Sequence, residues 1–377
     1  LAQRQRITAP LSLSDALARL VAPLAPLAAE VAAPALGRTL AGPLDAPARP
    51  PGARAARDGW AVRAEATAGA GPYNPLPLTP GVAAFAVSAG DPLPAGCDAV
   101  VADEGVEAVA GALLVVEAAA PGAGVEAAGA DWPGGTLLSA GRTLDAAALA
   151  VLSVLGVRTL SLVRRPRVRI VLTGDAPADG AAMLSALVAR DGGIADAVRA
   201  PDDPAALAAA LASASAGDAD LLLATGGTGT GAGDRTVDGL RAAGTVAVHG
   251  IGLRPGGTTA VGTVGGRPAV LLPGRPAAAL AAYEMLAGSA VRRLAGRADG
   301  LPHPTVRAHL ARKLVSSAGD VDVIWVRHEH GGAEPVAAGE GAGILAVARA
   351  DGFVVVPAGS EGFPAGASVD LYLTGWR

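Results

Sequence analysis

Leu221-Leu222-Leu223-Ala224-Thr225-Gly226-Gly227-Thr228-Gly229-Thr230-Gly231-Ala232-Gly233-Asp234 decides the fold of this 377-residue chain. An apolar run gives way to five glycines within eight residues, and an aspartate follows. This is the layout of a buried strand running into a loop whose backbone N–H groups reach an anionic ligand. Glycine is required there because a Cβ blocks both the tight turn and the close approach. Downstream, Leu272-Pro273-Gly274-Arg275-Pro276 repeats the arrangement at the end of another apolar run. Two such loops at the ends of neighbouring strands form a pocket.

Working outward, the pattern alternates between strand and helix. Strands are predicted at 168–172, 194–199, 219–225, near 245–252, at 258–264 and at 268–272. Helices are predicted at 180–191, 203–215, 234–243 and 277–294. Alternation of this kind gives an α/β fold with a doubly wound parallel sheet. Ligands of such sheets bind at the C-terminal strand ends, which is where Thr173-Gly174-Asp175, Thr225-Gly226-Gly227 and Leu272-Pro273-Gly274 fall. The glycine loop is not a Walker loop, since no Gly-Lys-Ser/Thr follows. Nor does it meet the Gly-x-Gly-x-x-Gly spacing of a dinucleotide fingerprint in the first βα turn.

Flanking segments read differently. Residues 11–21 have helical spacing with Ser12 or Ser14 as N-cap, 42–58 read as a loop, and 59–144 as short strands with turns. Residues 145–157 look helical. After Pro302, strands are predicted at 305–315, 321–328, 344–348, 353–356 and 369–373 with no helices between them, a small C-terminal β domain.

Composition narrows the function classes. The net charge is −4 and aromatics are 3%, which argues against nucleic-acid binding, where a basic face and stacking platforms are needed. The longest uncharged apolar runs fall far short of the ~20 residues of a membrane span. The first residues lack a signal peptide's apolar core. A cytoplasmic protein is expected. The single cysteine, Cys97, excludes an intrachain disulfide and a cysteine metal cluster, and packing is its expected role.

Several side chains could carry chemistry. Asp175 is a candidate for a hard-cation ligand or a helix N-cap. Asp234 either caps the next helix or orients ligand hydroxyls or Mg²⁺. Asp202 and Asp203, just before Pro204, are expected to cap the helix that starts there. Arg254, in Arg254-Pro255-Gly256-Gly257-Thr258-Thr259, and Arg275 flank the two Pro-Gly turns and could grip an oxyanion through their planar forks, or be solvated surface residues. His328 and His330 share a strand face but lack a third ligand, so no metal site is expected there.

Taken in order, these segments resemble the molybdopterin molybdenumtransferase family, the molybdenum insertases similar to the E domain of gephyrin. The motifs are Asp58-Gly59-Trp60-Ala61-Val62, Gly90 to Val101, Asp131 to Gly135, Pro166 to Asp175, Gly226 to Asp234 and Leu272 to Pro276. The resemblance covers nearly the whole chain. It implies a two-fold homodimer of four-domain subunits, with the active cleft between the doubly wound domain of one subunit and the β-rich module of the other. The corresponding division is 1–41 with 132–164 (helical and linker), 42–131 (β-rich module), 165–300 (doubly wound, molybdopterin-binding) and 301–377 (C-terminal β domain).

The implied activity is transfer of molybdate onto the dithiolene of adenylylated molybdopterin, with release of AMP in the presence of Mg²⁺. Carried over residue by residue, Asp58, Asp131, Asp175 and Asp234 are catalytic, with Asp175 and Asp234 as metal ligands. Thr173, Gly174, Gly226, Gly227, Thr228, Gly229, Pro273, Gly274 and Arg275 hold the cofactor, and Arg254, Pro255, Gly256 and Arg275 hold molybdate. A molybdoenzyme or an adenylyltransferase is the implied protein partner. The chain departs from the family pattern at Ala89 (threonine), Ala176 (an acid), Gly257 (lysine), Thr258 (proline) and Arg275 (asparagine). An alternative reading follows: a catalytically degenerate molybdopterin-binding accessory protein for a molybdenum or tungsten enzyme.

Overall fold

A computed structural model describes the chain except for residues 1–4, 8, 110, 174–179 and 376–377. Two compact units emerge, one of residues 1–41 with 141–377 and one of 42–140.

The larger unit is built around a six-stranded sheet. Its order is Ile194–Ala200, Arg167–Thr173, Leu221–Thr225, Arg267–Leu272, Ala260–Val264, Thr245–His249. The first four strands are parallel, Ala260–Val264 runs antiparallel to both its neighbours, and Thr245–His249 therefore runs with the first four. The expected doubly wound sheet is therefore present with an antiparallel hairpin added at one edge, reached by the short turn between Val264 and Arg267.

The apolar runs are continuous because both faces are covered. Side chains alternate between two cores. Val168, Ile170, Leu172, Leu221, Leu223, Val270 and Leu272 face the helical segment 276–294. Val171, Leu222, Ala224 and Leu271 face Leu207, Leu211, Val237 and Leu240 on the other side. Each fully buried Leu or Val contributes about 1.5–3 kcal/mol over its exposed state. Leu207, Leu211 and Ala214 recur at helical spacing on Pro204–Ala216. Asp203 caps that helix by accepting from the Ala206 N–H at 2.8 Å, as expected.

The predicted helix 277–294 runs from Pro276 to Leu294 with one wide turn, Tyr283–Ala287, of π type. Beside it a buried ionic network ties this helical segment to the end of the helix Gly180–Arg190. Arg190 holds Glu284 bidentately at 2.6 and 3.0 Å and also binds Asp191. Arg292 donates to Asp191 at 2.8 Å. His303 joins Glu284 at 3.0 Å, and its other ring nitrogen faces the Leu373 carbonyl. Asp191 and Glu284 are both fully buried, so each charge is stable there only because its partners surround it.

The C-terminal strands Val321–Glu329, Gly332–Ala337, Thr305–Leu310, Ser368–Leu373 and Gly352–Val356 form a sheet that closes on itself where the first pairs with the last. Leu253–Arg254 adds to it in parallel beside Val321–Asp322. Residues 344–348, expected as a strand, instead contain the short helix Ile344–Val347, with Leu345 83% exposed. The apolar run there has no paired strand to join and covers the barrel with one side only. The strand Gly332–Ala337 carried too few apolar residues to be read as one.

In the smaller unit, Ala84–Val87, Gly59–Val62 and Ala99–Val101 form one antiparallel sheet, and Leu76–Leu78, Ala112–Val115 and Val106–Val109 another. Val62, Leu78, Val101, Leu113 and Val115 fill its core. Gly59 has φ +145°, and a Cβ there would collide with the Val101 carbonyl. That close strand approach is why the turn before Trp60 carries glycine. The segment 42–58, expected as a loop, contains the short strands Leu44–Ala46 and Arg54–Ala55, paired to Gly135–Leu138 and Val125–Glu126.

Candidate functional site

The glycine loop 226–234 leaves the C-terminal end of the central strand Leu221–Thr225, between the ends of Arg167–Thr173 and Arg267–Leu272. Three buried threonines lace these ends together. Thr173 Oγ1 donates to the Thr225 carbonyl at 3.0 Å, Thr225 Oγ1 to the Pro273 carbonyl at 3.0 Å, and Thr236 Oγ1 to the Gly226 carbonyl at 2.6 Å. The Gly226 N–H completes the lacing by donating to the Leu272 carbonyl. Each bond satisfies a carbonyl that a sheet end would otherwise leave unpaired. The rim is thereby fixed before any ligand arrives.

The glycines are dictated by this lacing. Gly226 has φ +105°, and a Cβ there would stand 2.7 Å from Thr173 Oγ1. Gly227 has φ +61°, and its Cβ would collide with Thr236 Oγ1. Gly274 brings the second loop within van der Waals contact of the first, a Cβ there lying 3.2 Å from the Gly226 Cα.

Asp234 was expected either to cap the next helix or to serve ligand or metal. The helix Thr236–Ala243 starts beyond it, with Arg235 at the N-cap and no side-chain cap from that residue. The Asp234 carboxylate instead turns back and accepts from the Gly231 N–H at 2.7 Å. It lies so close that a Cβ on Gly229 would stand 2.6 Å from Oδ2. The capping alternative is thus not realised: the side chain folds the loop onto itself.

A third loop joins the rim. Thr228 Oγ1 meets Thr258 Oγ1 at 2.9 Å, linking the glycine loop to the segment 254–259. Arg254 is half-buried with Nη1 3.8 Å from Asp322 Oδ2. Asp322 is buried, receives Ser316 Oγ at 2.7 Å, and its Oδ1 has no hydrogen-bond partner among the described residues. Arg275 is exposed, and its Nη1 donates to the Glu340 carbonyl at 2.9 Å. Glu340 Oε1 accepts from the Gly256 N–H at 3.2 Å. A Cβ on Gly339 would lie 3.5 Å from Arg254 Nη2, so both arginines reach toward the loop at 339–340, a convergence that spacing along the chain could not show.

Thr173, Gly226, Gly227, Thr228, Gly229, Pro273 and Gly274 are brought together, with Arg254, Pro255, Gly256 and Arg275 beside them through the Thr228–Thr258 and Glu340 links. Gly174 and Asp175 lie outside the described residues. Asp58 and Asp131 belong to the smaller unit. There Asp58 Oδ1 accepts from the Ala89 N–H at 2.8 Å, and the Asp131 N–H donates to the Arg49 carbonyl at 3.0 Å. Among the described residues no three His, Cys, Asp or Glu side chains are placed to hold a metal. Asp234 offers a single carboxylate, a donor set suited to a Mg²⁺ completed by substrate phosphate and water rather than by a protein cage.

Sequence reasoning missed Gln5, His249 and Glu340. Gln5 binds the glycine loop from 222 residues away, and His249 Nε2 lies 3.0 Å from the Thr228 carbonyl. Neither residue sits in a motif, so no local signal marks them. A groove of about 500 Å³ beside the helix Leu13–Val21, lined by Leu17, Val21, Met285 and Arg293, contains none of the candidate residues.

Comparison with known proteins agrees with this geometry. Residues 11–156 match the MoeA N-terminal region (domain I and II), 169–293 the "Probable molybdopterin binding domain", and 307–374 the MoeA C-terminal region (domain IV). Molybdopterin molybdenumtransferase 2 of Mycobacterium tuberculosis is 28% identical over 298 residues, 70% of this chain and 72% of that one. A Methanocaldococcus jannaschii protein named "Putative molybdopterin biosynthesis protein" is 30% identical over 352 residues, 85% of each chain. A crystal structure of the molybdopterin biosynthesis MoeA protein from Pyrococcus horikosii superposes with TM-score 0.83 at 29% identity, covering 98% of this chain and 100% of that one. With its three matched regions in family order and the glycine-loop rim in the second of them, the chain belongs to the MoeA family of molybdenum cofactor biosynthesis proteins.

Proposed function

We propose that this protein inserts molybdate into adenylylated molybdopterin and releases AMP. The observation that carries the reading is the laced rim, where two glycine turns on adjacent strand ends stand beside the arginine-bearing loop 254–259. Backbone N–H groups of 227–229 would receive the phosphate of molybdopterin. Arg254 and Arg275 would draw molybdate by charge, and their forks match an oxyanion's geometry. Asp234 would hold Mg²⁺, which when bound neutralises phosphate charge as AMP departs. Asp58, Asp131 and Asp175 are carried as catalytic by the family motif.

A specific observation favours the second reading, a binding protein without turnover. Thr258 stands where the family has proline and spends its hydroxyl on Thr228, while neighbouring Gly257 replaces the family lysine. One experiment separates the two. Purified protein is mixed with adenylylated molybdopterin, Mg²⁺ and molybdate, and AMP release is followed. Multiple turnovers support insertion; tight binding without AMP supports the accessory role.

The family resemblance further supports a cytoplasmic homodimer that passes its product to a molybdoenzyme. No helix among the described residues is long and apolar enough to cross a membrane. A monomeric mass by light scattering would overturn the dimer.

A further inference from the structure

We infer that Gln5 is a positioning residue for ligand binding, holding the glycine loop in its receptive shape from a distant part of the chain. The inference rests on the reading of that loop as the molybdopterin cradle. Gln5 is 7% exposed, and among the described residues its amide makes three hydrogen bonds, all to the loop and the helix that follows. Nε2 donates to the Gly227 carbonyl at 3.1 Å and to the Gly229 carbonyl at 3.0 Å. Oε1 accepts from the Val237 N–H at 2.9 Å. Two carbonyls on one side and an N–H on the other allow only this orientation of the amide.

The contacts have a physical consequence for the ligand side. In a planar trans peptide, the carbonyl and the next residue's N–H point opposite ways. Holding the Gly227 and Gly229 carbonyls inward therefore turns the N–H groups of Thr228 and Thr230 away from Gln5. Glycine makes this restraint necessary, since a glycine-rich loop has the most backbone freedom to lose on binding a ligand. The third bond replaces a missing cap. The helix Thr236–Ala243 receives no side-chain cap from Arg235, and Gln5 satisfies the orphaned Val237 N–H instead.

The rest of the segment anchors Gln5. Ile7 lies over Gly250, where a Cβ would collide with it. Leu11 exchanges backbone bonds with Gly250 and Gly252 at 3.0 and 2.7 Å. Gln5 itself precedes the first family-matched segment, which begins at residue 11.

The test compares the parent protein with Gln5→Ala and Gln5→Glu. Glutamate keeps the acceptor for Val237 but turns a carboxylate toward two carbonyls. Amide hydrogen exchange over residues 226–237 is read without ligand, and the Kd for molybdopterin is read by titration. Both variants are expected to exchange faster in this segment, with exchange of the central strands unchanged, and to bind molybdopterin about tenfold more weakly, the loss of one to two hydrogen bonds' ordering. Unchanged loop exchange overturns the clamp. Faster exchange with an unchanged Kd overturns its role in binding and leaves a purely structural tie. If the parent fails to bind molybdopterin, it is the cradle reading that falls, and ligand positioning with it, while the exchange result still decides whether Gln5 orders the loop.

Discussion

Gly227→Ala tests the lacing at its tightest point. The residue sits at φ +61° with its missing Cβ directed at Thr236 Oγ1. The left-handed backbone alone costs an L-residue about 1–2 kcal/mol. The methyl group must also displace the Thr236 hydroxyl, which donates to the buried Gly226 carbonyl at 2.6 Å. Escape by rotation about χ1 carries the hydroxyl away from the carbonyl it serves. Leaving that carbonyl unpaired adds about 1–3 kcal/mol. The expected loss is about 2–5 kcal/mol in urea unfolding, with weaker molybdopterin binding because the first turn of the cradle moves. Thr236→Ala removes the colliding group and should itself cost stability by losing the same bond. In the double variant the two losses should therefore overlap, totalling at least about 1 kcal/mol less than their sum. Strict additivity, or a single-variant loss under about 1 kcal/mol, would refute the account of why glycine stands here.

Asp234→Asn keeps an acceptor for the Gly231 N–H and removes the charge, so stability should fall by at most about 1 kcal/mol, while AMP release falls at least about tenfold if the carboxylate serves Mg²⁺; steady-state turnover at saturating Mg²⁺ checks it, and parent-like turnover reduces Asp234 to a loop fold. Burial pushes the Glu284 carboxyl up, but hydrogen bonds from His303 and Arg190 outweigh it and hold the group below its usual value. A depressed folded pKa stabilises the fold above the unfolded pKa of about 4.3, and that contribution is lost as pH falls through the folded pKa. Urea unfolding of the parent should show this acid-side decline. Glu284→Gln, which leaves Arg190 without its bidentate partner, should cost about 3–5 kcal/mol at neutral pH and flatten that part of the profile; an unchanged acid limb would sink the assignment.

Much of the fold was legible because its signals are local. The runs 170–172, 221–224 and 269–272 are apolar without interruption, as a strand covered on both faces requires, and the glycines at 226 and 227 mark the turn that ends one of them. Asp203 before Pro204 is a cap readable from two residues. The ordered motifs from Asp58 to Pro276 carried the family. Local signals failed where partners decide. Residues 344–348 look like a strand until no neighbouring strand is there to pair with, and Leu253–Arg254 looks like a loop until Val321–Asp322 supplies its ladder. Asp234 reads as either a cap or a ligand-side acid, and its hydrogen bond goes backward to Gly231 rather than into the helix.

The sequence alone determined the alternation of strands and helices in the doubly wound domain, and which glycines crowd the strand ends, since both follow from side-chain size and period along a few consecutive residues. Only the tertiary structure decided that Gln5 ties down the glycine loop, that Thr228 meets Thr258, and that Arg254 and Arg275 converge on the loop around Glu340. Those contacts join residues 30 to more than 200 positions apart. Chain closure over such lengths leaves no spacing rule to read, and the hydrogen bonds form only when the packed sheet brings their partners within about 3 Å.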